Sequence, residues 1–305
     1  MTDEFVIETS DLRKTYEGSG GPGSNDALRG LSLQVPRGSI FGFLGRNGAG
    51  KTTTIKVLLG MAHPTSGQAR VFGLPANVQT SSVTIRQRTG FVSEEKDLLE
   101  SMTGDDLIRF TAGFYPGWRK DLEARYQRSF DLPLGRKVKT LSLGMRTKLA
   151  LLVALCRGAQ LLILDEPTSG LDPAVSEEVL QALVRHVAQE EMTVFMSSHQ
   201  LADIDQIADH IAVIDRGRSV LSGSLDDIRG RYRRIQMVFD GDAPEIAFRV
   251  PGVLRSRRAG RVLIVLASAG ADAIAEETRA FKPLSVEVAP LTLKEIFLES
   301  VSEEN

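Results

Sequence analysis

Gly45–Arg46–Asn47–Gly48–Ala49–Gly50–Lys51–Thr52 lies between an apolar stretch, residues 39–44, and a helix-forming one that runs from Lys51 to about Leu59. The spacing G-x-x-x-x-G-K-[ST], after a strand and at the start of a helix, predicts a phosphate-binding loop. Glycines let the backbone curl until successive N–H groups point inward at anionic oxygens. The following helix adds the partial positive charge of its N-terminus. Lys51 is placed to neutralise β- and γ-phosphates, and the Thr52 hydroxyl to ligate Mg²⁺. Gly45, Asn47, Gly48, Ala49, Gly50 and Thr53 complete the set of candidate nucleotide contacts. A glycine-rich turn with a solvent lysine would match the four specified positions by chance only rarely, and the strand–helix context makes that rarer still.

Working outward, Leu161–Leu162–Ile163–Leu164–Asp165–Glu166–Pro167 is an apolar strand ending in two carboxylates. In phosphate-loop folds we read such a strand as the buried neighbour of the loop's own strand, with its C-terminal end facing the γ-phosphate. Asp165 is then expected to hold the Mg²⁺ shell, and Glu166 to polarise the attacking water as general base. Alone, the acidic pair would read as a solvated turn; beside a phosphate loop it reads as hydrolytic.

The surrounding pattern alternates. Residues 5–7, 31–35 and 68–72 read as strands, 17–25 as a glycine-rich loop and 63–67 as a turn. From about residue 97 to 158 the pattern is mainly helical. Residues 175–189 and 201–208 then read as helices, and 193–196 and 210–214 as strands. Alternating strands and helices predict a parallel sheet covered on both faces. Near Gly230 the character shifts at a basic junction of Arg229, Arg231, Arg233 and Arg234. Residues 235–239 and 261–267 read as strands, and 271–280 and 293–301 as helices. The expected domains are residues 1–230, with a helical subdomain at about 95–160, and a small α+β appendage at 231–305.

Length and composition bound the reading. At about 150 residues per domain, 305 residues suggest about two domains. Lysine and arginine number 37 against 39 acidic residues, for a net charge of −2. With 42% hydrophobic and 25% charged residues, the chain can bury a full core. These values argue against a disordered chain and against nucleic-acid binding by bulk charge. Cys156, the one cysteine, excludes an internal disulfide and points to a reducing compartment. The longest apolar run, 149–156, is closed by Lys148 and Arg157, far short of the roughly 20 residues of a membrane span. Asp3, Glu4 and Glu8 in the first ten positions do not resemble a signal peptide. A cytoplasmic location is expected.

With these residues in place, the chain resembles the ATP-binding cassette (ABC) ATPases over about residues 5–225. Leu141–Ser142–Leu143–Gly144–Met145–Arg146 resembles the family's signature motif, Ser169–Gly170–Leu171–Asp172 its D-loop, and Ser197–Ser198–His199 its switch histidine. Gly90–Phe91–Val92–Ser93–Glu94 stands where the family has its Q-loop. Tyr16, after Arg13–Lys14–Thr15, matches the aromatic residue on which adenine stacks. The resemblance implies an α/β fold, a P-loop NTPase cassette with a parallel-sheet core, an antiparallel β part and a helical subdomain, followed here by the α+β appendage. It implies ATP and Mg²⁺ as ligands, catalytic roles for Glu166, His199 and Glu94, and nucleotide contacts from Ser142, Gly144 and Asp172 to a second cassette. Read by itself, Ser142 is a helix N-cap, His199 a polar loop residue and Tyr16 a surface aromatic.

The departures carry information as well. Glu94 stands where the family has glutamine, and a carboxylate accepts but does not donate. Leu143 replaces the signature's first glycine and Met145 its glutamine. These departures resemble the branch whose ATPase serves export-type permeases encoded as separate chains. Residues 114–118 and 130–134 resemble a bacterial subgroup of antibiotic-responsive and acetoin-utilisation operons. The implied partners are a second ABC ATPase subunit, identical or related, and separate membrane-spanning permease subunits, with no nucleic acid. The implied location is peripheral on the inner face of the cell membrane. The alternative is a mechanical ABC ATPase acting on ribosomes or DNA, whose relatives carry tandem cassettes or long coiled-coil insertions. An unrelated phosphate-loop kinase or regulator would leave the signature, D-loop and switch histidine unexplained. The basic run at residues 255–261 reads as a solvated hairpin tip, or else as a contact for anionic lipid or partner loops.

Overall fold

The computed structural model describes residues 4–16 and 25–301; the glycine-rich segment 17–24 lies outside the described residues. The chain divides into two compact units, Met1–Ser222 and Gly223–Asn305.

In chain order the first unit opens with β1 (Phe5–Tyr16), β2 (Asn25–Pro36), β3 (Ile40–Leu44), α1 (Lys51–Leu58), β4 (Ser66–Val71) and β5 (Leu74–Pro75). A second group follows: α2 (Gln79–Arg88), β6 (Thr89–Val92), α3 (Gly104–Ala112), α4 (Lys120–Phe130) and α5 (Leu143–Leu155). Then come β7 (Leu161–Asp165), α6 (Pro173–Glu190), β8 (Thr193–Ser198), α7 (Leu201–Ile207), β9 (His210–Asp215) and β10 (Arg218–Ser224), whose last two residues lie past the boundary between the units. Two sheets result. One is four-stranded, in the order β2-β1-β4-β5, with antiparallel pairings; the other is six-stranded, in the order β10-β9-β3-β8-β7-β6.

Strands β6, β7, β8, β3 and β9 run parallel. β3, β7 and β8 are buried at every residue, as expected of parallel strands covered on both faces. Phe195 of β8 stacks on Phe41 of β3 with ring centroids 5.7 Å apart, and also meets Phe43. The expectation that β7 neighbours β3 is corrected here. β8 lies between them, with Phe43 opposite Ser197 on one side and Asp165 opposite Ser197 on the other. Strand order is a long-range choice, and the local apolar pattern of β7 does not encode it. The C-terminal ends of β3, β8 and β7 still open together on one edge, where ligands of open α/β sheets bind.

In the helical region, α4 and α6 meet through a buried pair: the Tyr126 hydroxyl lies 2.8 Å from His186 Nδ1. Burial pushes His186 down to about 4 and Tyr126 up to about 12. Among the described residues no helix is long and apolar enough to cross a membrane.

The second unit contains α8 (Leu225–Arg231), β11 (Arg233–Val238), β12 (Val253–Ala259), β13 (Val262–Ala267), α9 (Ala271–Arg279), β14 (Ser285–Pro290) and α10 (Leu293–Ser300). Its antiparallel sheet has the order β12-β13-β11-β14. Alternate residues of β11 and β13, including Ile235, Met237, Leu263 and Val265, form its core together with Ile274 of α9. The basic run 255–261 supplies the exposed end of β12 and the turn into β13, with Gly260 left-handed at φ +56°.

Candidate active site

β3 stops at Leu44, and the chain curls through Gly48 (φ +79°) and Gly50 (φ +114°) before α1 begins. Gly50 is required sterically as well as conformationally. A Cβ there would lie 2.7 Å from the Ala27 carbonyl oxygen. The Gly50 carbonyl accepts from both the N–H and the hydroxyl of Thr54, each at 2.9 Å, which fixes the first turn of α1. Ala49 is buried under the loop and donates its N–H to Arg46 O at 3.1 Å. The buried Lys51 ammonium donates to Gly45 O at 2.8 Å and Arg46 O at 3.4 Å.

The loop forms the floor of a cavity of about 350 Å³. Of the residues expected from sequence, Tyr16, Asn47, Gly48, Gly50, Lys51, Thr52, Thr53, Glu94 and Glu166 line it. Asn25, Ala27 and Arg46 line it too and were not expected. Arg46 occupies a variable position inside the motif itself, so its place there was a usable signal; for Asn25 and Ala27, at the start of β2, no local signal exists. Tyr16 is 38% exposed, and the Lys14 ammonium sits 4.8 Å from its ring centroid.

At the end of β7 the two carboxylates separate in role. Asp165 Oδ1 accepts the Ser197 hydroxyl at 2.5 Å. Glu166 is left-handed at φ +47°, uncommon for a residue with a Cβ, and its N–H donates to Ser197 O at 3.2 Å and Oγ at 3.1 Å. That turn carries its carboxylate past β8 to the loop: Oε1 lies 3.0 Å from Lys51 Nζ. Oε1 has no partner in hydrogen-bond geometry, so the contact with Lys51 is ionic and off-axis. Oε2 accepts from the His199 backbone N–H at 3.2 Å and from Nδ1 at 2.8 Å, which assigns the proton to Nδ1. Thus Gly45, Ala49, Asp165 and His199 do not line the cavity but shape and hold the groups that do. The Thr52 hydroxyl and the Asp165 carboxylate are hard oxygen donors of the kind Mg²⁺ takes.

Lys96, two positions after Glu94, is a residue that sequence reasoning missed. It is buried, and its ammonium donates to Glu94 O at 2.9 Å and Glu166 O at 3.2 Å. Burial holds it below the usual lysine range, against the opposing pull of Glu94, Asp165 and Glu166.

Ser142, Gly144 and Asp172 form a second cluster that does not line the cavity. Ser142 caps α5 by accepting from the Met145 N–H at 3.3 Å, and Asp172 caps α6 by accepting from Ala174 and Val175, each at 3.1 Å. The two helix starts pack together: a Cβ on Gly144 would lie 3.0 Å from Val175 Cγ1, and one on Gly170 3.1 Å from Leu143 Cδ2. Leu143 is exposed.

Comparison with known proteins meets this geometry. The family model for the ABC transporter matches residues 28–169. The bacitracin transport ATP-binding protein BcrA of Bacillus licheniformis is 37% identical over 232 residues, which cover 75% of this chain and 73% of that protein. The chain is an ABC transporter ATP-binding protein. This ABC ATPase is also 27% identical over 293 residues to the ABC transporter ATP-binding protein YtrB of Bacillus subtilis, a match that covers 96% of this chain and 97% of that one. A solved ATP-binding subunit of an ABC transporter superposes with a TM-score of 0.64 at 29% identity, covering 74% of this chain and 92% of the other. The ABC ATPase is therefore an ATP-hydrolysing subunit of a transporter; action on ribosomes or DNA is not favoured.

Proposed function

We propose that this ABC ATPase powers export through separate membrane-spanning subunits, by pairing head to tail with a second ATPase subunit. The observation that carries the reading is the division of the expected site. The phosphate loop, Glu94 and Glu166 share one cavity, whereas Ser142, Gly144 and Asp172 cluster at the starts of α5 and α6. A second subunit presenting that cluster would complete each cavity, with the α5 N-terminus and the Ser142 hydroxyl aimed at the γ-phosphate. Toward a phosphate, Asp172 has only acceptors, so its part is to hold the α6 start beside Gly144.

Within the cavity, Tyr16 stacks on adenine and the N–H groups of the cavity-lining loop residues, Asn47, Gly48 and Gly50 to Thr53, hold the phosphates. Lys51 exchanges Glu166 for the β- and γ-phosphates. Thr52 and Asp165 would hold Mg²⁺, which neutralises charge on the phosphate oxygens when bound. Glu166, oriented by both His199 donors, takes the proton of the attacking water, and Glu94 lines the γ-phosphate end. Export as the direction is supported by the Glu94, Leu143 and Met145 departures and by the bacitracin-transport relative. The working location is peripheral on the inner face of the cell membrane.

The test is affinity capture of the tagged chain from membranes in mild detergent. The expected result is a co-purifying multi-span membrane protein and ATPase activity that its presence changes. Recovery of ribosomes or DNA, with no membrane protein, would overturn the reading.

A further inference from the structure

Glu94–Glu95–Lys96–Asp97 is a fully charged stretch, yet Lys96 is only 4% exposed. The chain makes a closed turn to achieve this. The Lys96 N–H donates to Ser93 O at 3.2 Å, and Ser93 Oγ accepts from the Asp97 N–H at 3.3 Å. Lys96 is itself left-handed at φ +54°, which sends its side chain inward. An ammonium withdrawn from water needs compensation. Here it comes from the carbonyls of Glu94 and Glu166, at 2.9 and 3.2 Å. The second of these belongs to the left-handed residue whose backbone turn delivers its carboxylate to Lys51 and His199. The same Glu166 carbonyl also accepts from the Ser169 N–H at 3.3 Å, so the turn is held by one donor of its own and one from the Glu94 loop.

We propose that Lys96 is a positioning residue for ATP hydrolysis: one ammonium clamps the carbonyls of Glu94 and Glu166, fixes the left-handed turn that aims the Glu166 carboxylate, and ties that aim to the Glu94 loop. The inference rests on Glu166 acting as the general base. Lys96 does not line the cavity, so its effect falls on turnover and not on nucleotide binding. Its length and charge both matter: a shorter or neutral side chain cannot serve two carbonyls at that depth.

Steady-state hydrolysis, ATP affinity and thermal unfolding of the full chain are measured for wild type, Lys96→Met, Lys96→Arg and Glu166→Gln. Lys96→Met is expected to lower kcat by about 10- to 100-fold, as displacing a catalytic group does. ATP affinity is expected to stay within about threefold of wild type. Lys96→Arg, still cationic, is expected to recover much of the lost turnover. Wild-type kcat in Lys96→Met overturns the proposal, and so does a loss shared equally by kcat and affinity, which marks a merely structural lysine. If Lys96→Met does not yield folded protein, Lys96→Gln, neutral and too short to reach both carbonyls, is read by the same two criteria. Wild-type turnover in Glu166→Gln would instead overturn the general-base reading, whatever Lys96→Met does.

Discussion

Replacing Glu166 by glutamine changes almost no volume but deletes a charge 3.0 Å from Lys51 Nζ and 2.8 Å from His199 Nδ1. At 3.0 Å and an effective dielectric of 20, the Lys51 pair attracts by about 5.5 kcal/mol before desolvation is counted. Both groups are buried, so most of that gross attraction offsets the cost of removing them from water. The net coupling of a close, desolvated ion pair of this kind is about 1.5–7 kcal/mol. In the proposed binding mode a phosphate displaces Glu166 from Lys51. The amide competes less well than the carboxylate, and Gly45 O at 2.8 Å still holds the ammonium in place. Glu166→Gln is therefore expected to bind ATP about tenfold more tightly, which is about 1.4 kcal/mol of the contact. Turnover is expected to fall about 10²- to 10⁴-fold with loss of the base. A fluorescent ATP analogue titrated with Mg²⁺ reads the first effect, and phosphate release the second. Hydrolysis at the wild-type rate would refute the base. Affinity equal to or weaker than wild type would refute the competition between Glu166 and phosphate for Lys51.

Gly50→Ala places a Cβ 2.7 Å from Ala27 O at φ +114°, so isothermal titration should show ATP affinity reduced by about tenfold or more, and wild-type affinity would contradict the close approach. Ser142→Ala removes the α5 cap and should cost about 1 kcal/mol in urea unfolding. If Ser142 also serves a second cassette, turnover falls much further than that small destabilisation explains; unchanged turnover leaves only the cap. His186, held near 4 against an ordinary 6.5, contributes stability that is complete above about pH 6.5. As pH falls toward 4, the unfolded chain takes up a proton that the buried imidazole refuses, and up to about 3 kcal/mol is lost. Urea unfolding at pH 7 and pH 4.5 should show a shallower pH dependence in Tyr126→Phe/His186→Leu than in wild type, and equal slopes would refute the assignment.

Local pattern made much of this fold legible. β3, β7 and most of β8 were legible as short apolar runs, which the structure buries on both faces, and the phosphate loop because backbone curl and anion binding demand glycine and lysine at fixed spacing. α2 escaped because QTSSVTIRQR has no apolar stripe; only Ser82 and Ile85 are buried. β12 escaped because six of its seven residues are exposed. Strand order failed for a different reason. β8 is the later strand in the chain yet inserts between β3 and β7, and nothing in residues 161–167 reports that. Lys96 was hidden by its own neighbours, since a run of four charges predicts a solvated face and only the tertiary turn shows it facing in.

The proposed division of the site rests on what each side chain can do chemically. Ser142 accepts the Met145 N–H through its oxygen, yet a hydroxyl keeps its own proton to donate. Capping α5 and contacting a phosphate are therefore compatible uses of one residue. Asp172 differs, because a carboxylate already accepting from Ala174 and Val175 has nothing to offer an anion directly. Its value lies in fixing the start of α6 against Gly144, where a Cβ would meet Val175 at 3.0 Å, so that the α5 N-terminus is held rigidly in position. Glycine at 144 thus serves packing between two helix starts, and in the proposed pairing the N–H groups of Leu143 and Gly144, not the capped Met145, are the donors of the first α5 turn that a second subunit's nucleotide would meet. Substituting Leu143 should accordingly disturb pairing of cassettes less than substituting Gly144, which would push the two helix starts apart.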